Sequence, residues 1–388
     1  MANPLLELKA QRQSVWYDNL NRDLIKTGLL KRLVEDDGVG GGTSNPSIFE
    51  KAVGASDAYD EHLAEIVGPG VSLDETFDAL TVTDVGLSAD IFRGIYDETE
   101  GADGYASLEV SPLLAADTET TTSEAKRLFA ALGRPNAMIK IPGTPEGLPA
   151  VERSLADGIN VNITLLFGVD SYEQVALTYI AALEKRAKAG LPLDRIGSVA
   201  SFFISRVDST VDGRLEEKIK AVESDLERRR LSALLGKAGV ANAKIAYAKF
   251  QEIFSGDRWA ALVKKGARVQ RCLWASTSTK NPDYRDVLYI EELIGPDTIN
   301  TMPPNTLDAF RDHGLVASTL TNGVDEARAH IGELEAAGID FRAVTDELQV
   351  QGVKAFADSF AGARATVEEK RDRILAGSKG IAAAPRGD

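Results

Sequence analysis

Short β-like runs alternate with amphipathic helical stretches along the sequence. Such alternation is typical of α/β proteins, because each connecting helix returns the chain and makes the next strand parallel to the last. Eight repeats predict a closed (β/α)8 barrel, a TIM barrel with additional helices, whose functional side chains cluster at the carboxyl ends of the strands. The runs begin near Ser14, Val39, Ala106, Ala137, Ile159, Ile196, Val269 and Thr298.

The connection after the sixth predicted strand is longer than a minimal strand–helix unit needs. Residues 207–268 include a charged helical pattern at 212–235, which predicts a helical insertion. Helical patterns continue after the eighth strand to about Leu375, and the residues at 377–388 predict a flexible tail. Because no repeat or linker divides the chain, we expect residues 1–388 to form a single (β/α)8 barrel domain.

The charge balance excludes some classes of partner. Forty-four Lys and Arg stand against 59 Asp and Glu, a net charge of −15. A general nucleic-acid binder or an anionic-membrane binder needs a basic surface, so we expect neither partner. The chain also lacks an apolar run of the ~18 residues that a bilayer span requires, and its start has no signal-peptide pattern. These features predict a cytoplasmic protein.

Metal-ligating residues are scarce. The three histidines, His62, His313 and His330, lie far apart in the sequence, and Cys272 is the one cysteine. A zinc site needs closely spaced His or Cys ligands, so this composition disfavours a metal site. A single cysteine also excludes an intramolecular disulfide and is typical of a reducing compartment.

Four predicted strands carry polar residues at positions where a barrel strand should be apolar on both faces. Lys140 stands between isoleucines, Glu109 stands between Leu and Val, and Asp18 ends the first strand. In the fifth strand the period of two places Asn162 and Thr164 on one face. A group of polar side chains in such strands predicts a site inside the barrel.

Lys140 is the most informative of these residues. Burial is costly for an ammonium and favours its neutral form, which is a nucleophile that can form a Schiff base with a carbonyl. Two structural alternatives remain open: an ion pair with Glu109, or a lysine that extends to solvent from the strand end. Glu109 with Thr164 and a water could shuttle protons, and Asp18 could move the proton of a substrate hydroxyl.

A candidate anion site follows the late strands. Ser201 and Arg206 bracket the end of the sixth predicted strand, and hydroxyl residues with Lys280 follow the seventh. Late strand–helix loops often form phosphate sites in such barrels, and hydroxyl and cationic groups supply the donors. Ordinary helix capping by Ser and Thr is the alternative explanation.

The motifs together resemble those of transaldolases, and the resemblance covers residues 14–375. The strand-four and strand-five segments are the most specific of them. The segments that carry it are Thr-Ser-Asn-Pro-Ser at 43–47, Glu-Val at 109–110, Ile-Lys-Ile-Pro at 139–142, Gly-Ile-Asn-Val-Asn-Ile-Thr-Leu-Leu-Phe at 158–167 and Ser-Phe-Phe-Ile-Ser-Arg at 201–206. The length and the insertion after strand six are similar to the larger bacterial transaldolases.

The resemblance implies a role for each matching residue. It makes Lys140 the Schiff-base lysine and Asp18 the acid/base of aldol cleavage. Glu109 and Thr164 would hold the catalytic water, and the side chains that contact the dihydroxyacetone unit would be those of Asn45 and Asn162. The remaining matches are substrate- and phosphate-binding positions and an aromatic residue that lines the pocket: Ser201, Arg206 and Phe203.

One segment departs from the family pattern. Many transaldolases carry a second phosphate-binding arginine after strand seven, where this chain has Ser-Thr-Ser-Thr-Lys-Asn at 276–281. Lys280 is the candidate replacement. A lysine would bind phosphate as a point charge rather than through the two-pronged contact of a guanidinium.

The implied reaction transfers a dihydroxyacetone unit from sedoheptulose 7-phosphate or fructose 6-phosphate to glyceraldehyde 3-phosphate or erythrose 4-phosphate. It belongs to the non-oxidative pentose phosphate pathway and needs no metal or organic cofactor. The enzyme is expected to be a monomer or a homodimer. Two alternatives stay open: a Schiff-base aldolase that releases dihydroxyacetone, and a non-catalytic sugar-phosphate-binding barrel. A metal-dependent aldolase is disfavoured by the scarcity of ligands.

Overall fold

A closed barrel of eight parallel strands, paired in chain order, forms the centre of the molecule. The computed structural model describes residues 3–68 and 70–382. The predicted (β/α)8 barrel is confirmed, and each strand begins within two residues of its predicted start. The strands are β1 Gln13–Tyr17, β2 Val39–Thr43, β3 Ala106–Glu109, β4 Ala137–Pro142, β5 Val161–Leu166, β6 Ser198–Phe203, β7 Arg271–Ala275 and β8 Thr298–Met302.

Helices cover the outside of the barrel and lie between its strands. Their apolar faces pack on the outward side chains of the strands in one large core. Short 3-10 helices occur at Asp57–Tyr59 and Pro112–Leu114. The α-helices are α1 Pro4–Ala10, α2 Arg22–Lys26, α3 Leu29–Asp37, α4 Pro46–Ala55, α5 Asp60–Ile66, α6 Leu73–Glu98, α7 Thr118–Leu132, α8 Gly147–Ala156, α9 Val169–Lys188, α10 Ser205–Ala221, α11 Asp225–Ser232, α12 Ala238–Ile253, α13 Asp257–Val263, α14 Leu288–Glu291, α15 Pro304–His313, α16 Val324–Ala336 and α17 Phe341–Ala382.

The predicted insertion at 207–268 contains helices α10 to α13. The prediction of one helix at 212–235 is wrong, because the chain leaves the helical conformation at Val222 and restarts after Ser224. The Ser224 hydroxyl accepts a hydrogen bond from the Glu227 amide and so caps α11. At the other end of the chain α17 continues to Ala382, and residues 383–388 of the predicted tail lie outside the described residues. The single-domain assignment stays a prediction.

The glycine run of β2 lets bulky side chains pack closely against both faces of the strand. A Cβ on Gly41 would lie 2.6 Å from Trp16 Cε2, and one on Gly42 would lie 2.6 Å from Leu20 Cδ2. Trp16 is completely buried, and its indole N–H donates to Asp103 at 2.8 Å. The run therefore provides close backbone packing, and both Trp16 and Trp274 belong to the core.

Helix α17 crosses the carboxyl end of the barrel. It packs on α4, on α10, on the 3-10 turn at Pro112–Leu114 and on β5, which follow or belong to four different strands. The side-chain amide of Gln349 donates to the carbonyls of Gly143 and Leu165 at 3.1 and 3.3 Å. The last helix is thus fixed to the strand ends where a barrel enzyme places its site. In residues 3–68 and 70–382 no helix is long and apolar enough to cross a membrane.

Candidate active site

A cavity of about 960 Å³ opens at the carboxyl ends of the strands, partly under α17. Glu109 and Asn162 are the two predicted site residues that do not line it. Glu109 lies beside Lys140, and Asn162 lies behind Ser201. The structure therefore brings the ten predicted residues to one end of the barrel. Those that line the cavity are Asp18, Asn45, Lys140, Thr164, Ser201, Phe203, Arg206 and Lys280.

The buried Lys140–Glu109 pair is the chemical centre of the cavity. The two residues are partners in the β3–β4 register, with Nζ 3.5 Å from Oε2. Their side chains are only 6% and 5% exposed, so Lys140 does not extend to solvent. Neither carboxylate oxygen has a close hydrogen-bond partner among the described residues, and 3.5 Å is long for such a bond. The ion pair considered from the sequence exists, but it leaves Glu109 unsatisfied.

Glu109 titrates near neutral pH. Burial raises the pKa of its carboxyl group to about 7, against the lowering effect of the Lys140 charge. The Thr164 hydroxyl on β5 is also buried without a partner among the described residues. Strands β3 and β5 flank β4, so these oxygens stand on the two sides of the lysine strand. Unsatisfied buried oxygens at such positions are suited to an ordered water and to proton transfer.

Asp18 is the second carboxylate that faces the lysine. It follows β1 directly, and the Thr43 hydroxyl donates to its Oδ1 at 2.6 Å. Burial raises the pKa of Asp18, while the Lys140 charge and the Thr43 hydrogen bond lower it. A buried carboxylate that is held by a hydrogen bond to one oxygen can accept and return a proton through the other.

The two asparagines differ in their access to the cavity. Asn45 caps α4, and its Oδ1 accepts from the Ile48 amide at 3.0 Å, while the residue lines the cavity. Asn162 is completely buried: its Oδ1 accepts from Ser201 at 2.6 Å, and its Nδ2 donates to Ser107 at 3.1 Å. In this geometry Asn162 positions Ser201, and its direct contact with substrate stays a prediction.

Arg206 and Lys280 lie near each other among the cations that line the cavity. Arg206 lies 5.6 Å from the Phe203 ring centroid, and burial lowers the pKa of its guanidinium. In the described part of the chain, Arg206 has no carboxylate partner. Lys280 donates to the Ser278 hydroxyl at 2.6 Å, and burial and the nearby Arg206 charge lower the pKa of its amine. Unpaired cations that repel each other are a suitable site for a phosphate.

Three residues that contact the side chains of the site were not among the predicted site residues. Thr43 holds Asp18, Ser107 holds Asn162, and the Phe356 ring centroid lies 5.3 Å from Lys140 Nζ. Thr43 belongs to the motif at 43–47, and Ser107 shares a strand face with Glu109. The sequence therefore provided a reason to consider both residues as part of the site. Phe356 is on α17, and no local pattern indicates that this helix reaches the cavity.

Cys272 and the histidines take no part in this site. Cys272 is buried, and burial raises the pKa of its thiol to about 12, which is unlike a nucleophilic cysteine. It packs in the hydrophobic core with its neighbours on the barrel strands. Within the residues described, no group of three or more His, Cys, Asp or Glu side chains could hold a metal ion.

Comparison with known proteins assigns the family. The model of the transaldolase/fructose-6-phosphate aldolase family matches residues 15–367. A transaldolase of Trichodesmium erythraeum is 47% identical over 376 residues, which cover 96% of this chain and 99% of that protein. Transaldolase 2 of a Nostoc species is 47% identical over 371 residues, covering 95% and 97%. A transaldolase of Thermobifida fusca is 44% identical over 375 residues, covering 96% and 98%. The chain therefore belongs to the transaldolase/fructose-6-phosphate aldolase family, as its motifs predicted.

Proposed function

We propose that this chain is a transaldolase, a transferase that moves a dihydroxyacetone unit between sugar phosphates through a Schiff base on Lys140. The observation that carries the proposal is the buried Lys140 amine, which faces the carboxylates of Glu109 and Asp18 in a cavity with a cationic rim. The family and its transaldolase relatives support the same reaction. The donor would be sedoheptulose 7-phosphate or fructose 6-phosphate, and the acceptor glyceraldehyde 3-phosphate or erythrose 4-phosphate.

Imine formation begins when the Lys140 amine adds to the C2 carbonyl of the ketose. The carbinolamine then loses its hydroxyl as water and becomes a protonated imine. Glu109 is suited to both proton transfers, because burial brings the pKa of its carboxyl to about 7. A water between Glu109 and Thr164 would carry the proton to the reacting oxygen, since both residues have buried oxygens without partners.

Cleavage follows from the position of Asp18. Its carboxylate takes the proton of the C4 hydroxyl, the C3–C4 bond breaks, and its electron pair moves into the imine to form an enamine. The aldose phosphate leaves with a new C4 aldehyde. The enamine then attacks the aldehyde of the acceptor, Asp18 returns the proton to the new hydroxyl, and water releases the product from Lys140.

Arg206 and Lys280 would bind the phosphate group of the substrate. In a chain with a net charge of −15 the overall field opposes an anionic substrate, so a local cationic site must offset it. Arg206 is partly buried and unpaired within the described residues, which strengthens its attraction to phosphate. Asn45 and Ser201 line the same cavity and can contact sugar hydroxyls.

An Arg206→Ala variant should raise KM for fructose 6-phosphate by roughly 10- to 100-fold, because it loses a charge-assisted contact. The effect on free dihydroxyacetone as a donor should be small. Steady-state kinetics with both donors test this, with Arg228→Ala as the matched control. Arg228 pairs with Asp225 on α11, away from the cavity. Equal changes of KM for both donors would argue against a phosphate site at Arg206.

Trapping the imine tests the proposal as a whole. The protein is incubated with fructose 6-phosphate, reduced with borohydride and mapped by mass spectrometry. We expect a reduced dihydroxyacetone adduct on Lys140. Lys51 and Lys280 also line the cavity and serve as internal controls. An adduct on either of them, or no adduct, would overturn the mechanism.

The pathway, the non-oxidative pentose phosphate branch, follows from the proposed reaction. A cytoplasmic location and a monomeric or homodimeric state stay predictions from the sequence. The family description also includes fructose-6-phosphate aldolase. Release of free dihydroxyacetone is therefore the second candidate reaction of this site.

A further inference from the structure

The C-terminal helix contributes an aromatic ring to the catalytic lysine. Phe356 of α17 is 9% exposed, lines the cavity and places its ring centroid 5.3 Å from Lys140 Nζ. At this distance a ring face attracts a cationic nitrogen and excludes water from it. Glu109 and Asp18 are the charged neighbours of the Lys140 amine, whereas the Phe356 ring is an apolar neighbour.

Contacts with β5, the strand that carries Thr164, fix the position of α17. Leu165 has a φ of +63°, a left-handed conformation that is unfavourable for leucine, at a register shift between β5 and β6. A Cβ on Gly352 of α17 would lie 3.0 Å from Leu165 Cδ2. Gln349, one turn earlier on α17, donates to the Leu165 carbonyl. The strained residue is therefore held directly beneath the helix.

We propose that Phe356 is a specificity-determining residue, which sets the ratio of dihydroxyacetone transfer to dihydroxyacetone release by shielding the Lys140 imine and enamine from bulk water. This inference rests on the proposed function. Phe356 would favour transfer over release, the two reactions that the family description includes.

The chemistry of release shows where shielding acts. After the aldose phosphate leaves, the enamine either attacks an acceptor aldehyde or takes a proton at C3. In the second case the protonated imine adds one water at C2 and expels the Lys140 amine, and free dihydroxyacetone leaves. The proton reaches C3 and the water reaches C2, which lie within two bonds of the imine nitrogen that the Phe356 ring faces. A smaller side chain at this position opens a path for bulk water.

Three variants separate shielding from general loosening of the helix. Phe356→Ala removes the ring, and Phe356→Leu keeps apolar volume without a ring face. The matched control is Phe360→Ala. Phe360 is one turn further along α17 and packs edge-on against Phe77 at 5.1 Å. Because Phe360 does not line the cavity that holds Lys140, Phe360→Ala loosens the same helix without removing a side chain from that cavity.

The experiment measures free dihydroxyacetone and transfer product for each variant, with fructose 6-phosphate as donor and glyceraldehyde 3-phosphate as acceptor. We expect Phe356→Ala to raise the ratio of release to transfer by about tenfold and Phe356→Leu by about threefold, with Phe360→Ala close to wild type. An unchanged ratio in Phe356→Leu overturns the inference, even where Phe356→Ala does not fold. An equal rise in Phe360→Ala also overturns it.

Borohydride trapping keeps the two proposals apart. A wild-type protein without an adduct on Lys140 contradicts the proposed function. An adduct on Lys140 together with an unchanged ratio in the Phe356 variants contradicts only the inference about Phe356.

Discussion

A Lys140→Met variant is expected to lose at least about 10⁴-fold in kcat/KM, because no other group can replace the nucleophile in covalent catalysis. Methionine fills nearly the same volume, so the loss would reflect chemistry rather than a cavity. The measurement is steady-state transfer with fructose 6-phosphate and glyceraldehyde 3-phosphate. Lys51→Met provides the matched control, since Lys51 also lines the cavity. It should retain most of its activity, and comparable losses in both variants would contradict the assignment.

The same variant should change how stability depends on pH. Burial raises the pKa of Glu109 from 4.5 to about 7, and the Lys140 charge opposes this rise. A carboxyl group with a raised pKa in the folded state keeps its proton longer than in the unfolded state. Its stabilising contribution is complete below pH 4.5 and is lost as pH rises towards the folded pKa. Without Lys140 the pKa of Glu109 rises further, and the loss extends to higher pH.

Thermal unfolding across pH tests this expectation. The Tm of Lys140→Met should fall more steeply than that of wild type between about pH 6 and pH 9. The double variant Lys140→Met/Glu109→Gln removes this titrating group, so its Tm should fall less steeply than that of Lys140→Met over the same range. If the double variant keeps the steep slope, another group causes it. Circular dichroism at about pH 6 checks that the variants are folded.

The strands and most residues of the candidate site could be located from the sequence because parallel barrel strands are apolar on both faces. Against that background Lys140, Glu109 and Thr164 stand out, and the period of two places them on inward faces. The close approach of Glu109 to Lys140 depends on register, which the structure shows as a direct β3–β4 pair. Local pattern thus indicated the residues, and pairing between strands brought them together.

Other parts of the site depend on long-range packing. Phe356 lies more than two hundred residues from Lys140 in sequence, and its helix looks like an ordinary amphipathic one. The hydrogen bonds of Asn162 to Ser107 and Ser201 could not be read from the sequence either, and its contact with substrate stays a prediction. The period of two places Asn162 on the inward face, but it does not show which neighbouring side chains will bond to its amide.

An Asp18→Asn variant should form the imine but cleave the C3–C4 bond roughly 10²- to 10⁴-fold more slowly, since an amide cannot accept the proton of the C4 hydroxyl. Asparagine keeps the shape of the side chain and can still accept the Thr43 hydrogen bond, which is 2.6 Å in the native protein. The two measurements are the borohydride-trapped adduct on Lys140 and the steady-state kcat. A trapped six-carbon adduct should accumulate in place of the three-carbon one, because the step after imine formation is blocked.

Thr43→Val is the companion variant, because it removes the hydroxyl that holds Asp18 but leaves the carboxylate in place. It should lower kcat by only about tenfold and still give the three-carbon adduct, since the base remains and only its orientation is lost. The hydrogen bond from Thr43 lowers the pKa of Asp18, so the loss of this bond should raise that pKa. The activity of Thr43→Val should therefore fall off at a higher pH on the acidic side than that of wild type. Wild-type turnover in Asp18→Asn would show that another group moves this proton, and an unshifted acidic limb in Thr43→Val would show that Asp18 does not control it.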